Sequence, residues 1–332
     1  MLQGDRSLPV VPRPAWLALA FVTAVSLASA QDYPARPITM VVPYAPGGTT
    51  EAIARRVMHR LELRLGKPVI VDNRPGAGTV NAATQVARAA PDGYTLLLAT
   101  STTLAINVSV YKTLPYDPVA DFAPVALLAR VPFMLVVNPS LPVETVADLV
   151  RISKATPGGL SYASTGYGSA AHLYVEMLKH VTGLEAVHVP YKGNAPGLND
   201  VVAGHVQMMI GDFATSNELF RGGHVRALGV STATRVSAAP DIPTLAEAGV
   251  AGYDAAAWQM VVAPAKTPDD IVARLNAELR AILQEPEVQA DFTSRGLVPI
   301  ASPPVTELKS FVTSEILRWS EVVKKAGAAG IE

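Results

Sequence analysis

The sequence contains no cysteine. That removes disulfides, thiolate zinc sites, iron–sulfur clusters, cysteine nucleophiles and cysteine-linked lipid anchors together. Charged residues are sparse, at 17%, and balanced, with 27 Lys and Arg against 28 Asp and Glu. Without a long basic run, neither nucleic acid nor an anionic membrane has an electrostatic partner here. Beyond the N-terminal segment, no stretch reaches the ~18 continuous apolar residues of a membrane-spanning helix. Neither a Gly-x-Ser-x-Gly elbow nor a His-Glu-x-x-His motif occurs, so the local signatures of two large hydrolase classes are missing. Low-complexity tracts and repeats of about 20–50 residues are also missing. What remains is 332 residues, 49% of them hydrophobic. That is the composition of a packed protein, long enough for about two domains.

The N-terminus reads as an export leader. Arg6 and Arg13 precede the apolar stretch from Ala15 to Val22, and Ala28-Ser29-Ala30 supplies small residues at a cleavage site. The expected product is exported, with cleavage after Ala30.

Apolar, β-branched runs then recur at Ile38–Val42, Val69–Val71, Leu96–Ala99, Val125–Leu128, Phe133–Val137, Val206–Ile210, Ala227–Val230 and Gln259–Ala263. Helical spacing lies between many of them. Ile53, Val57, Leu61 and Leu65 share one face, as do Ile271, Leu275, Leu279 and Ile282 after the start signal Thr267-Pro268-Asp269-Asp270. Leu308, Phe311, Val312, Trp319 and Val323 form the stripe of a last helix. Strands alternating with helices predict an α/β fold with mostly parallel sheets.

In such sheets ligands bind beyond the carboxyl ends of the strands, and the unusual residues cluster there. Tyr44, Pro46, Gly47, Gly48, Thr49 and Thr50 follow the first strand, and Gly78 follows the second. Ser164, Thr165, Gly166, Tyr167, Gly168 and Ser169 follow Leu160–Ala163; Tyr191, Lys192 and Gly193 follow Val187–Val189; Asp212 follows Ile210. Glycine lets a backbone approach a ligand closely. Hydroxyls at a helix start sit beside the positive end of its dipole. One such turn proves little, since tight turns need glycine anyway; five at equivalent positions predict a ligand site. Tyr44, Tyr167, Tyr191 and Trp258 are either aromatic walls of the cleft or core, and Tyr167, flanked by glycines, is the one expected to face ligand.

The order of short motifs resembles one family. Tyr33-Pro34, Val41-Val42-Pro43 and Pro46-Gly47-Gly48 are followed by Asp72-Asn73-Arg74-Pro75-Gly76-Ala77-Gly78 and Ala90-Pro91-Asp92-Gly93-Tyr94. Val189-Pro190-Tyr191-Lys192-Gly193, Pro243-Thr244-Leu245-Ala246-Glu247-Ala248-Gly249 and Ala257-Trp258 come later. Together they resemble the Bug receptors, the TctC-type extracytoplasmic solute-binding proteins of tripartite tricarboxylate transport. The resemblance implies a type II periplasmic-binding-protein fold, with two α/β lobes joined by two crossing strands and closing on a ligand. It places the leader at 1–30, a discontinuous first lobe at 31–131 and 256–332, and the second lobe at 132–255. The implied ligand is a small organic acid: a carboxylate, an amino acid or an aromatic acid. It is held without metal or cofactor and without catalytic residues. The implied partners are permease subunits of a tripartite transporter or, alternatively, a membrane sensor kinase, and the implied state is a monomer.

Two positions depart from the family pattern. Glu51 stands where Asp is usual, and Thr79 where a third glycine is common. Glu51 is either a partner of the helix dipole or a cleft residue that attracts a donor on the ligand. Two rival chemistries stay open at this level. Ser164 with His172 and Asp212 has the residue types of a hydrolase, and His172, Glu176 and His180 have helical spacing that could hold a metal.

Overall fold

The computed structural model describes Met1 and residues 33–325 and 327–330. The leader signals from Arg6 to Ala30 lie outside the described residues. The folded unit runs from Pro34 onward.

Strands and helices alternate as the pattern predicts. β1 (Ile38–Val42) leads into α1 (Thr49–Leu65), β2 (Val69–Asn73) into α2 (Val80–Ala87), and β3 (Thr95–Thr100) into α3 (Asn107–Val110). Next come β4 (Phe122–Val137), α4 (Val146–Ala155), β5 (Leu160–Ser164), α5 (Ala170–Thr182), β6 (Ala186–Pro190) and α6 (Asn194–Ala203). They are followed by β7 (Met208–Asp212), α7 (Phe213–Arg221) and β8 (Arg226–Val230). After a long connection come β9 (Ala256–Pro264), α8 (Asp269–Leu283), α9 (Pro286–Ser294), β10 (Val298–Pro299) and α10 (Val305–Lys325).

The strand order is β2-β1-β3-β9-β4-β7-β5-β6, with β8 and β10 also pairing β4. β1 is parallel to β2 and β3, and β5 is parallel to β6 and β7. Parallel neighbours need helical crossovers, so within each group the carboxyl ends emerge together. Two sheets therefore each present a row of strand-end loops.

β4 joins the two sheets. The sequence pattern divides this stretch into two runs, Val125–Leu128 and Phe133–Val137, but it folds as one 16-residue strand. Residues up to Pro132 pair with β9, and residues from Phe133 pair with β7 and β8. Pro132 interrupts the pattern because it has no N–H to donate. It falls at the changeover, opposite Ala256 at the start of β9, where a missing donor is tolerated. The chain thus crosses between the sheets at Pro132/Phe133 and returns at Ala256.

The expected helix faces are buried, with small shifts. Ile53, Val57 and Leu61 are buried and Leu65 is half-buried; Leu275, Leu279 and Ile282 are buried, with Val272 deeper than Ile271. α8 starts one residue later than its sequence signal suggests. Pro268 is extended (ψ 139°) and flanks the helix, and the Thr267 hydroxyl has no hydrogen-bond partner, so it does not cap.

α10 is anchored to β9 through a buried carboxylate. Glu315 Oε2 accepts from Trp258 Nε1 at 2.6 Å and from Trp319 Nε1 at 3.1 Å. Trp258 also meets the Phe311 ring edge-on at 5.1 Å between centroids. Trp258 is therefore a core anchor and not a cleft wall. Replacing Glu315 by Leu leaves two indole donors unpaired, each costing about 1–3 kcal/mol in full. With partial relaxation, Glu315→Leu is expected to lower unfolding free energy by about 2 kcal/mol in chemical denaturation. No loss of stability would mean that this triad does not anchor α10.

Candidate binding site

The first turn of α1 begins the site. Gly47 has φ +91°, a conformation that favours glycine, and turns the chain from β1 into the helix. Gly48 is the N-cap and has no side chain to cap with, so the positive end of the α1 dipole is met by the carboxylates of Glu51 and Asp212. Thr49 and Thr50 are buried behind it. Thr49 Oγ1 donates to Asp212 Oδ1. Asp212 ends β7 and caps α7, where Oδ1 accepts from Thr215 N at 3.1 Å and Thr215 Oγ1 at 2.8 Å. The Asp212 N–H donates to Asn194 Oδ1 at 3.1 Å. One carboxylate thus ties the loop after β1 to the start of α7 in the other sheet. Burial pushes the Asp212 carboxyl above the usual range, although its bonds from Thr49 and Thr215 oppose this.

A cavity partly open to solvent lies against this junction. Gly48, Thr49, Thr50 and Glu51 contribute from α1, and Asn194 and Asp212 from the other sheet. Tyr44, Val131, Phe133, Ala170 and Ala257 form its apolar walls, while Thr100, Thr102, Thr165 and Gln259 add polar groups. No Lys, Arg or His is among the lining residues. The loops also meet directly. Thr102 Oγ1 accepts from Ala170 N at 3.1 Å, and Lys192 O accepts from Ala45 N at 3.0 Å.

A neighbouring cavity shares Tyr44 and Thr165 with the first and is lined by Gly78, Gly166, Tyr167, Tyr191 and Lys192. Tyr167 is exposed, as its flanking glycines suggest, and Lys192 is exposed too. The candidate residues therefore divide into two adjacent groups. Six of them line neither cavity. Pro46 and Gly47 are exposed. A side chain on Gly193 would meet the Ala45 backbone at 3.3 Å. Ser169 caps α5 by accepting from His172 N at 3.3 Å, and Gly168 N donates to His172 Nδ1 at 3.1 Å. Ser164 is buried beneath its own loop.

Ser164 does not join the expected group. Its Oγ lies 2.5 Å from His188 Nε2 and accepts from Gly166 N at 3.1 Å. His188 Nδ1 has no hydrogen-bond partner, so no carboxylate orients this ring as a nucleophile's base requires. His172 stacks on His188 at 4.1 Å between centroids. Glu176 accepts from Tyr162 OH at 2.6 Å and from Lys179 Nζ at 2.8 Å. The Ser164, His172 and Asp212 set is thus dispersed into a loop-supporting stack and a helix cap.

Glu51 has both oxygens occupied. Oε2 accepts from Gly47 N at 2.7 Å, and Oε1 accepts from Arg55 Nε at 2.9 Å and Nη2 at 2.6 Å. Burial pushes this carboxyl up, but the Gly47 N–H and the Arg55 guanidinium together outweigh burial and hold it below the usual range. These partners hold the carboxylate at the start of α1, where the helix dipole favours it. Glu51→Asp, which withdraws the carboxylate by one methylene, is expected to cost under about 1 kcal/mol of stability. Calorimetry over a panel of acids should find the same ligand order in both proteins; a changed order would put Glu51 in contact with ligand.

Gln259 escaped the loop-based reading because it lies within a strand. Its signal was a lone polar residue inside the buried run Trp258–Ala263. Thr100 and Thr102 also went unnoticed, because hydroxyls in an apolar run fit any buried strand end.

Two sheets bridged by crossing strands, with a cavity under their strand-end loops, make a two-lobed periplasmic binding protein. Solved structures of that class match it closely. Rpa4515 of R. palustris, solved with adipate, is 41% identical with a TM-score of 0.86, covering 90% of this chain and 100% of that one. MatC from Rhodopseudomonas palustris, solved with malate, is 34% identical with a TM-score of 0.83, covering 88% and 100%. Protein BugT of Bordetella pertussis is 38% identical over 301 residues, 90% of this chain and 92% of that protein. The profile of the tripartite tricarboxylate transporter family receptors matches residues 53–328. The chain belongs to this family of periplasmic solute-binding receptors. Among the described residues, no helix is long and apolar enough to cross a membrane.

Proposed function

We propose that this chain is an exported periplasmic receptor that closes on a small organic acid and presents it to the permease of a tripartite transporter. The observation that carries this reading is the cavity at the first turn of α1, roofed by loops from both sheets. A cavity walled from two sides can open and close by relative movement of those sides. The lobes are assigned as 31–131 with 256–332, and 132–255, in keeping with the crossings of β4 and β9. Residues 1–30 act as the leader, cleaved after Ala30. The ligand is taken as a carboxylate, as in the adipate- and malate-bound relatives. No catalytic step is assigned, since the family consists of receptors and the Ser164–His188 pair lacks an orienting carboxylate.

The test is gentle denaturation of the freshly purified protein, followed by mass spectrometry of what it releases. A small carboxylic acid that also raises the melting temperature of the stripped protein supports the reading. If no organic acid is released and none of a broad panel stabilises the protein, the reading fails.

A further inference from the structure

With Glu51 committed to Gly47 and Arg55, one buried side-chain atom of the cavity lining still has no partner. Gln259 is 3% exposed and lines the cavity from β9. Its Nε2 donates to Thr50 Oγ1 at 2.9 Å, but its Oε1 is buried without a hydrogen-bond partner. Buried polar atoms are nearly always satisfied, and an exception at a cavity wall calls for an absent partner. The surroundings say what kind of partner. The lining holds the carboxylates of Glu51 and Asp212 and no cationic side chain. Asp212 Oδ1 already accepts from Thr49 and twice from Thr215. The unpaired amide oxygen therefore sits beside a cavity whose lining is rich in acceptors, and a donor is the partner it lacks.

Its position also matters. Gln259 is hydrogen-bonded to Thr50, the second residue of α1. A group that meets Oε1 then sits beside whatever the first turn of α1 receives. On its own face of β9 the neighbours Ala257 and Val261 are buried and apolar, so the amide is the lone polar group there.

We propose that Gln259 is a specificity-determining residue whose amide oxygen accepts a hydrogen bond from a hydroxyl or ammonium group next to the ligand's carboxylate. The ligand class is then a 2-hydroxy or 2-amino acid, and a plain dicarboxylate is disfavoured. This rests on the receptor reading above and deepens it. A plain acid leaves Oε1 unpaired and brings a second acceptor to it; a hydroxy or amino acid supplies the missing donor.

The experiment is calorimetric titration of the ligand-stripped protein with matched acids: succinate against malate and aspartate, and adipate against 2-aminoadipate. Wild type should prefer the donor-bearing member of at least one set by about tenfold or more. In Gln259→Met, which keeps the length of the side chain but removes the acceptor, that ratio should collapse toward one. Gln259→Glu keeps an oxygen at the same place and can accept from Thr50, so it should retain the preference; it also serves if the Met variant folds poorly. Equal binding of plain and donor-bearing acids by wild type overturns the assignment while leaving the receptor reading intact. So does a ratio that survives in Gln259→Met. Failure of every acid to bind overturns both.

Discussion

A Gly78→Val protein is expected to fold and yet to bind its ligand about a hundredfold more weakly. Gly78 lies in the tight turn after β2, at φ +53°, and a Cβ there would stand 2.6 Å from the backbone oxygen of Tyr167 in the loop after β5. It would also stand 3.0 Å from the Tyr111 hydroxyl. A tyrosine ring can swing away; a backbone carbonyl in a glycine-flanked turn can move only by shifting the loop. The two loops belong to different sheets, so the crowding falls on their approach and not on either sheet alone. A non-glycine residue at positive φ costs about 1–3 kcal/mol in the folded chain. The clash adds to that only where the loops meet, and about 2.7 kcal/mol there corresponds to a hundredfold in affinity. Calorimetry with the acid that stabilises wild type, run beside a thermal melt, separates the two effects. Unchanged affinity in a folded Gly78→Val protein would mean that this contact plays no part in closure.

The second large effect is on stability against pH. His172 and His188 stack beneath the loop from Ser164 to Ser169, with Tyr162 stacked on one side and Tyr167 edge-on. Burial lowers His172 to about 4, assisted by Lys179 and opposed by Glu176. Burial lowers His188 to about 3, with His172 and Lys179 acting in the same direction. Both groups take up protons more readily in the unfolded chain, where a histidine titrates near about 6.5. Their stabilising contribution is therefore full above about pH 6.5 and is lost as pH falls from there toward the folded values. Between pH 7 and pH 5 the loss should reach roughly 2–4 kcal/mol, allowing for the partial exposure of His188. Denaturant titrations across this range should show a falling midpoint, with the slope reduced in His188→Gln. A midpoint that holds constant to pH 5 would contradict the burial of this stack.

These examples show which parts of the molecule could be read without coordinates. The strand-end loops were legible because glycine, proline and threonine in series after a β-branched run leave few backbone alternatives. That rule points to the first turn of α1, Asp212 and the loop around Tyr167, which line two adjacent cavities. At Gly168, Ser169 and Gly193 the same residue types build the turn and line neither of these two cavities. The continuity of β4 was hidden by Pro132, whose effect on pairing depends on which neighbour faces it. His188 was hidden because an alternating strand does not reveal what stacks on it; its partner His172 lies sixteen positions earlier, on α5. Gln259 was visible only as an anomaly, a polar side chain in a buried strand. Its meaning required the neighbouring Thr50 and the unpaired oxygen.

The most direct test of the whole account is a crystal structure of the stripped protein soaked or grown with an acid that stabilises it. The predicted result is one molecule in the cavity between the first turn of α1 and β9, with a carboxylate at the Gly48–Thr50 backbone and the rest of the ligand against Phe133 and Gln259. Electron density for the acid elsewhere, or an empty cavity at saturating concentration, would contradict it.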